Sequence, residues 1–346
     1  MTDVVELVTA AGSDLDRIGW TTADPFPEVR DEIERRVATG ESGRLGFTFS
    51  DPGRATDPRS SWPWARSIVI GLHSYMPRAG SPAGPARVAR FATIDHYRPL
   101  RAAMTRVADS LTGAGHRAEV VIDDSRLVDR AAAHRSGLGW WGKNTMLLTP
   151  GLGPWFLIGC VVTDVDVPPS STMRRDCGTC AACLPACPTG ALVRPGVLDA
   201  RRCLAAILQA PGPIPAEFRA AVGDRLYGCD DCIEACPPGT RLLAEAVPEP
   251  DGPGPVDVLT MGDAELLHRF GHFYLPGGHP RYLRRNALVV LGNVGDPGHL
   301  PLLAGYLLYP DEMLRDHARW AITAIGGTDA RRLLELDQSA GRPNGK

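Results

Sequence analysis

Along its first 165 residues, the chain alternates between helical and strand-like spacings of its apolar positions. From Tyr97 to Leu111, the residues Leu100, Met104 and Val107 recur at helical intervals, which predicts an amphipathic helix with one buried face. The apolar run SIVIGL at Ser67–Leu72 lacks this period and predicts a buried strand. By the same reasoning, helices are predicted at 24–38 and 126–137, and strands at 119–122, 145–149 and 155–163.

The C-terminal part of the chain has a helical pattern throughout. Helices are predicted at 282–292, 300–308 and 312–326. The segments RRNALVVLGNVGDP and LRDHARWAITAIGGTD resemble each other about 30 residues apart, which indicates a short repeat of helix pairs of the HEAT-like kind. The stretch VPEPDGPGP at 247–255 has the composition of a linker.

These patterns predict three domains in a chain of 346 residues. Residues 1–165 are expected to form an α/β domain, because strands and helices alternate there. Residues 166–246 are cysteine-dense and proline-rich, which is typical of a segment that folds around metal. Residues 256–346 are expected to form the helical repeat domain.

Charge and targeting signals exclude several classes of protein. The formal net charge is −3, so the chain is not coated with positive charge, although a local basic face can still bind nucleic acid. No stretch reaches the roughly 18 uninterrupted apolar residues of a membrane span. The N-terminus also lacks a secretory pattern. We therefore expect a cytoplasmic protein without a membrane segment.

Eight of the nine cysteines lie within one segment, from Cys177 to Cys236. In a long chain without a secretory signal, such clustering indicates metal ligation rather than disulfides. The first run has the spacing C-x2-C-x2-C-x3-C-P, and the second ends in C-x2-C-x3-C-P. This spacing is typical of two-cluster bacterial ferredoxins, in which the last cysteine of a run ligates the other cluster.

We therefore assign two [4Fe–4S] clusters to these eight thiolates. Cluster one takes Cys177, Cys180, Cys183 and Cys236. Cluster two takes Cys187, Cys203, Cys229 and Cys232. The alternative is a four-thiolate zinc site made from two CxxC pairs, which the full x2-x2-x3 run disfavours. Cys160, inside an apolar run, is expected to be a buried inert thiol.

A free-standing ferredoxin needs little more than its cluster loops, so the electrons are expected to serve a site in the first domain. No G-x-G-x-x-G follows a predicted strand, and the chain has no P-loop. A nicotinamide site of the Rossmann kind is therefore not predicted. Periodicity alone does not name the cofactor of the first domain.

Several motifs resemble the epoxyqueuosine reductase family. The most specific are GLGWWGKNT, which starts at Gly137, and YGCDDC, which starts at Tyr227; DARRC and GPIP add to them. The similarity runs from roughly residue 45 to residue 325. It implies an iron–sulfur and cobalamin enzyme that reduces the epoxide of epoxyqueuosine at the tRNA wobble position to give queuosine. The nearest chemical relatives of that family are the cobalamin-dependent reductive dehalogenases.

The resemblance also implies a proton donor. The family's aspartate before the D-R-A-A-A segment corresponds to Asp123, and a positioned carboxylic acid suits a reaction that consumes protons. The next residue, Asp124, replaces a small hydroxyl residue of the family and is expected to cap a helix that starts near Arg126. Two adjacent carboxylates can raise the pKa of one of them.

For cobalamin, the resemblance implies four contacts from this chain. They are Arg54, Lys143, Asn144 and Asp230. For Lys143 the alternative is a structural residue held in a salt bridge. The motif Asp-x-His-x-x-Gly, with which many proteins ligate cobalt, is incomplete here, because Ala132 stands where its Asp belongs. This agrees with a base-off cofactor that has no histidine ligand from the protein. His134 is therefore expected on a helix surface.

The resemblance implies tRNA as the partner, and the C-terminal helices offer a candidate surface. Arg281, Arg284 and Arg285, followed by Arg315 and Arg319, predict a basic ridge that could meet a phosphate backbone. The alternative is a solvated face whose arginines pair with acidic neighbours. An external electron donor, such as a flavodoxin or ferredoxin system, is also expected.

Two departures from the family leave other functions open. After Cys203 the chain has LAAILQA where the family has a Ser and a Thr-Ile-Glu stretch, and Asp95-His96-Tyr97 replaces Asp-Tyr-His. A cobalamin-dependent, dehalogenase-like reductase of a small molecule is therefore the second hypothesis, favoured if the basic ridge is absent from the mouth of the pocket. A non-enzymatic electron carrier is the third.

Overall fold

The computed structural model describes residues 2–76, 86–244 and 254–340. The Gly- and Pro-rich segment 77–85 and most of the predicted linker at 247–255 lie outside these ranges. The strands are β1 (Arg17–Thr22), β2 (Ser67–Ser74), β3 (Arg87–Val88), β4 (Ala118–Val121), β5 (Trp140–Trp141), β6 (Leu147–Leu148), β7 (Phe156–Thr163), β8 (Leu192–Arg194), β9 (Val197–Leu198) and β10 (Arg225–Tyr227).

Helices account for most of the remaining regular structure. The α-helices are α1 (Thr2–Ala11), α2 (Pro27–Ala38), α3 (Pro52–Thr56), α4 (Pro58–Ser61), α5 (Tyr97–Gly113), α6 (Asp129–Arg135), α7 (Cys183–Ala186), α8 (Leu204–Gln209), α9 (Ala216–Val222), α10 (Asp231–Glu234), α11 (Pro237–Leu243), α12 (Pro255–Thr260), α13 (Asp263–Arg269), α14 (Arg281–Val294), α15 (Leu300–Leu307), α16 (Glu312–Ile325) and α17 (Gly327–Ala340). Single 3₁₀ turns occur at Phe47–Phe49, Arg90–Ala92, Pro276–Gly278 and Pro297–His299.

The described residues divide into two compact units. The first unit holds 2–76, 94–201 and 231–244, and the second holds 86–93, 202–230 and 254–340. The cysteine-dense segment is therefore shared between the two units. The three-domain division drawn from the sequence stays a prediction.

The first unit is built on a four-stranded antiparallel sheet in the order β1-β2-β7-β4. The central strands β2 and β7 are apolar on both sides because both faces of the sheet are covered. The helix α5 packs against one face, and α6 packs against the other. Ile68, Ile70 and Leu72 share a core with the alanines of α6. The strands predicted at 67–72 and 155–163 are confirmed, and so is the mixed α/β character.

Other predicted elements of the first unit are shorter than expected. The helix predicted at 126–137 begins only at Asp129. The strand predicted at 145–149 is reduced to β6, because Thr145 has a left-handed φ of 66° that interrupts extended backbone. The pattern did not reveal β1, which pairs with β2 along its whole length.

The second unit is mainly helical. The helix α14 packs against α12 and α16, and its residues from Tyr282 to Gly292 are all buried. The helices predicted at 282–292, 300–308 and 312–326 correspond to α14, α15 and α16. The segment LAAILQA forms α8, which buries Leu204, Ile207 and Leu208 in this core.

None of the helices in the described ranges combines the length and the apolar character that a membrane crossing requires.

Candidate functional site

Four thiols come together in the first unit, and they are the four assigned to cluster one. Burial, together with the nearby thiols of Cys177, Cys183 and Cys180, raises the pKa of Cys236 to about 11. Burial likewise raises the pKa of Cys183, with added contributions from Cys177 and Cys180. These mutual effects require proximity, so the last cysteine of the second run lies with the first three of the first run. The donor set fits a cluster that takes four thiolates.

Hydrogen bonds fix the loop that carries the first of these cysteines. An Asp176 carboxylate oxygen accepts a hydrogen bond from the Gly178 amide at 2.6 Å, and Gly178 has a left-handed φ of 50°, which suits glycine. The Lys143 ammonium donates to the Gly178 carbonyl at 2.7 Å and lowers the pKa of Cys183. Lys143 therefore holds the cluster-one loop and adds positive charge beside its thiols.

Each of the two cysteine runs ends in a Cys-Pro pair, and the cysteine of each pair has extended backbone. Cys187 ends α7 with extended backbone, and Pro188 follows it. Cys236 is extended as well, but Pro237 then occupies the first turn of a new helix, α11. Proline suits that position, because backbone amides in the first turn of a helix have no partner within the helix and proline has no N–H to leave unpaired.

The four cysteines assigned to cluster two are divided between the units. Cys187 and Cys232 lie in the first unit, while Cys203 and Cys229 lie in the second. The Cys187 sulfur accepts the Ala191 amide at 3.1 Å. Burial acts to raise the pKa of Cys187, but backbone hydrogen bonds from Leu192, Thr189 and Ala191 outweigh it and lower the pKa. The common ligation of this set stays a prediction.

Within the described residues, no group of three or more His, Cys, Asp or Glu side chains is arranged to hold a single metal ion. A cubane makes a different geometric demand, since each of its thiolates attaches to a different iron atom.

Asp123 stands just after β4 in a strained backbone conformation. Its φ is 50°, in the left-handed region that few residues other than glycine adopt, aspartate among them. The residue is open to solvent, yet the protein around its carboxyl is dense enough that desolvation raises the pKa of Asp123. Arg130 and Arg101 oppose that shift, and Asp124 adds to it. Strain and a raised pKa are features that functional carboxyls often share.

Asp124 has the opposite environment. Its carboxylate forms a bidentate pair with the Arg126 guanidinium at 2.9 and 2.7 Å and also accepts the Arg126 amide at 2.9 Å. These hydrogen bonds hold the pKa of Asp124 below its usual range, and Arg54 lowers it further. The expected helix cap is corrected to a turn cap, because α6 begins only at Asp129.

Asp129 lies close enough to Asp123 for the two carboxyls to affect each other, and Cys160 lies close to Asp129. The Asp129 carboxyl accepts the Arg130 amide at 2.6 Å, and desolvation raises the pKa of Asp129, with Asp123 adding to the shift. Cys160, in β7, is fully buried, and burial raises the pKa of its thiol well above the usual value. The expectation that Cys160 is buried is confirmed. His134 is half-buried, 5.8 Å from the ring of Trp141, rather than on an open helix surface.

The four predicted cobalamin contacts have protein partners of different kinds. Arg54 donates from Nε to Ser61 at 3.1 Å and lies close enough to Asp124 to lower its pKa. Asn144 is buried, accepts the Met146 amide and reaches the Cys232 carbonyl at 3.5 Å. In the second unit, Asp230 accepts the Arg90 amide at 2.6 Å. Lys143 and Asn144 thus support the cysteine loops, while Arg54 shares a neighbourhood with the two carboxylates.

The predicted basic ridge on the C-terminal helices is wrong. Arg285 is fully buried and donates to the carbonyls of Ala210 and Leu208, both at 2.9 Å. Arg284 is also buried and pairs with Asp263. Helical spacing placed these arginines on one face, but that face lies against the core, where carbonyls and carboxylates satisfy the guanidinium groups.

The other arginines of the predicted ridge are engaged at the surface. Arg281 pairs with Asp311 at 3.3 Å, and Arg319 pairs with Asp337 at 2.6 Å. Arg315 donates to the carbonyls of Tyr309 and Pro310. The alternative drawn from the sequence, in which these arginines pair with neighbours, describes them better than a free ridge.

Sequence reasoning missed aromatic residues around both centres. The Trp62 ring lies under the Arg126 guanidinium, 4.6 Å from the ring centroid, next to the carboxylates. Trp140 packs against Cys236 and Leu148, with Cys177 alongside. The tryptophan-containing motifs could have indicated these contacts. The spacing of residues in a sequence does not predict which atoms an aromatic ring will contact.

Comparisons with known proteins agree with this geometry. A family model for a 4Fe-4S double cluster binding domain matches residues 176–239. The epoxyqueuosine reductase of Bacillus subtilis is 32% identical over 340 residues, covering 94% of this chain and 87% of the relative. The epoxyqueuosine reductase of Staphylococcus aureus is 31% identical, covering 97% of this chain and 91% of the relative.

Solved structures give the same result. A selenomethionine-labelled epoxyqueuosine reductase superposes with a TM-score of 0.89 at 32% identity, covering 99% of this chain and 96% of that one. An epoxyqueuosine reductase with an epoxyqueuosine-modified tRNA-Tyr stem loop has a TM-score of 0.85 at 30% identity, covering 99% of this chain and 94% of that one.

Proposed function

Because this chain belongs to the epoxyqueuosine reductase family, we propose that it reduces epoxyqueuosine to queuosine at the wobble position of tRNA. Family membership makes the chain an oxidoreductase. The observation that carries the proposal is the environment of Asp123, a strained carboxyl with a raised pKa in the same unit as four converging thiols. A relative of similar fold, solved with an epoxyqueuosine-modified stem loop, supports tRNA as the substrate.

The reaction needs electrons and protons in equal number. Removing the epoxide oxygen as water breaks two C–O bonds, leaves a C=C bond and consumes two electrons and two protons. The eight assigned cysteines would hold two [4Fe–4S] clusters, which would supply single electrons taken from an external donor of the flavodoxin or ferredoxin class. Bound base-off cobalamin would supply a redox-active cobalt for the reduction.

Asp123 is the residue that we assign to proton delivery. A carboxylic acid whose pKa is raised by desolvation stays protonated at higher pH, so it can donate to the oxygen that leaves. Its strained backbone fixes the carboxyl at the end of β4. Asp124 is kept ionised by Arg126 and supports the turn instead.

The cofactor contacts are proposed from the resemblance and from charge. The guanidinium groups of Arg54, Arg101 and Arg130 act electrostatically on the Asp123–Asp124 pair. This donor set suits the amide and phosphate groups that cobalamin carries. Arg54 would bind the cofactor directly, while Lys143 and Asn144 would act through the cysteine loops that they hold.

A small-molecule reductase remains the second candidate, because the basic ridge that would have marked a tRNA surface is buried or paired. The LAAILQA segment after Cys203, which departs from the family, does not favour either the tRNA substrate or a small-molecule substrate. Its apolar residues Leu204, Ile207 and Leu208 form the buried side of α8.

The test is anaerobic reconstitution with iron, sulfide and cobalamin, followed by reaction with epoxyqueuosine-containing tRNA and mass spectrometry of the nucleosides. We expect queuosine from the wild-type protein and a 10²- to 10⁴-fold lower turnover from Asp123→Asn, the range that a general acid contributes. Iron and cobalamin content should not change in that variant. Full activity of Asp123→Asn would overturn its role, and bound cofactors without queuosine would favour the small-molecule reductase.

Asp124→Asn is the matched control. It removes an adjacent negative charge that helps to raise the pKa of Asp123, so the alkaline limb of the rate profile should move to lower pH while the maximal rate is largely kept. A loss of rate equal to that of Asp123→Asn would show that the pair, rather than Asp123, carries the chemistry.

A further inference from the structure

Trp140 carries a buried hydrogen-bond donor next to two of the cluster-one thiols. It is 7% exposed and packs with Leu148 and Cys236, while the partly buried Met173 and Cys177 lie against the same group. Its indole nitrogen is buried, and no partner for it is found among the described residues. An unsatisfied buried donor costs about 1–3 kcal/mol, so such a group usually serves a purpose.

Another buried tryptophan of the same unit behaves differently. Trp155 is fully buried, and its indole donates to the Gly239 carbonyl at 3.1 Å, as is usual for this side chain. Trp62 also lacks an indole partner among the described residues, but it lies in the sheet core under Arg126. Trp140 is therefore distinguished by the sulfur atoms beside it.

The position of Trp140 is fixed by backbone close to it. A Cβ at Gly139 would lie 2.4 Å from the Leu148 carbonyl oxygen, so β5 approaches β6 closely just before Trp140. The pairing of Trp140 with Leu148 sets its register. The Arg175 guanidinium stands 5.3 Å from the centroid of the ring and favours its present orientation.

We propose that the indole N–H of Trp140 donates a hydrogen bond to a thiolate sulfur of cluster one, that of Cys236 or Cys177, and thereby raises the reduction potential of that cluster. The inference rests on the cluster assignment proposed above. A ligating thiolate carries negative charge and accepts hydrogen bonds. A donor to it stabilises the reduced cluster, which has one more electron, more than the oxidised cluster.

Trp140→Phe in the reconstituted holoenzyme is the test, because it keeps a ring and removes the N–H. EPR-monitored redox titration should show that the midpoint potential of one cluster falls while the other stays in place. In H₂O the wild-type cluster should also show a hyperfine coupling from an exchangeable proton that the variant lacks. Trp155→Phe and Trp62→Phe are the controls, and neither should move either potential.

Unshifted potentials and an unchanged exchangeable-proton coupling in Trp140→Phe with full iron content would overturn the proposal. If phenylalanine lowers the iron content, replacement of Trp140 by benzothienylalanine, which keeps the shape and has sulfur in place of the N–H, decides the matter by the same readouts. These measurements need no tRNA, so a failure of the proposed reaction would not be mistaken for a failure of this inference.

Discussion

Two carboxyls near the end of β4 respond to the protein in opposite ways. Hydrogen bonds from Arg126 lower the pKa of Asp124, whereas desolvation raises the pKa of Asp129. Asp124 therefore contributes stability that is present above its unfolded pKa, about 3.9, and is lost as the pH falls through its folded value. Asp129 contributes stability that is present below that unfolded pKa and is lost as the pH rises through its folded value.

The isosteric variants Asp124→Asn and Asp129→Asn test this contrast. At neutral pH, Asp124→Asn should lower the free energy of unfolding by about 0.5–1 kcal/mol, as loss of a partly exposed ion pair does. Asp129→Asn should raise it, since no buried charge then forms. Urea unfolding from neutral to acidic pH measures both, and both differences from wild type should shrink in acid. Shifts of the same sign, or shifts independent of pH, would contradict this account.

The resemblance to the family singled out Asp123 as a candidate proton donor, but the sequence did not predict its backbone conformation or its pKa. Its left-handed φ and raised pKa depend on the fold around it, chiefly on how closely the protein surrounds its carboxyl. The residues next to Asp123 in the sequence do not indicate how many protein atoms will surround its carboxyl in the folded chain. The buried indole of Trp140 is a similar case, because its partners are brought to it by a turn and by the second cysteine run.

Among the elements, the contact of β2 and β7 with α5 depends on two facing glycines. Gly71 and Gly159 pair across the strands, and both leave room for Met104 of α5. A Cβ at Gly159 would lie 2.6 Å from Met104 Cγ and 3.0 Å from Leu100 Cδ1. Two glycines inside apolar strands thus allow the helix to approach the sheet closely.

Gly159→Ala should therefore lower the free energy of unfolding by about 1–3 kcal/mol, the usual cost of overpacking. Combined with Met104→Ala, which removes the atom closest to the new Cβ, it should cost less than the sum of the single changes. Gly113→Ala is the matched control, since a Cβ there meets no atom within 4 Å, and it should be neutral or stabilising. Urea unfolding of the wild type, the two single variants, the double variant and the control measures these differences. If the losses of the two single variants simply add in the double variant, the contact with Met104 is not the cause.

Helices and buried strands were predictable because their apolar periods are long and regular, as in α5, α14 and α16. The basic ridge failed for a reason that the period cannot show. Arg284 and Arg285 have the spacing of a surface face, yet they meet carbonyls and a carboxylate inside the second unit. Helical spacing predicts that several charged residues lie on one face of a helix. It does not predict whether that face is exposed to solvent or packed against the core.

For the whole molecule, cysteine spacing predicted more than any other signal, because ligation joins positions that are distant in sequence. The ferredoxin pattern placed Cys236 with the first run, and the mutual pKa effects of these thiols agree with that placement. The division into units was not predictable, since the segment between the two runs packs partly with the helical unit.

The crossed assignment can be tested by grouping variants by the cluster that each one loses. Cys177→Ala and Cys236→Ala, although they lie in different runs, should both lose about half of the iron and leave the same EPR signal, because each removes one ligand of cluster one. Cys187→Ala, in the same run as Cys177, should leave the other signal. Cys160→Ala is the control and should keep both clusters, since that thiol is buried in the sheet. If Cys177→Ala and Cys187→Ala instead left one common signal, each run would hold its own cluster, and the crossed assignment would be wrong.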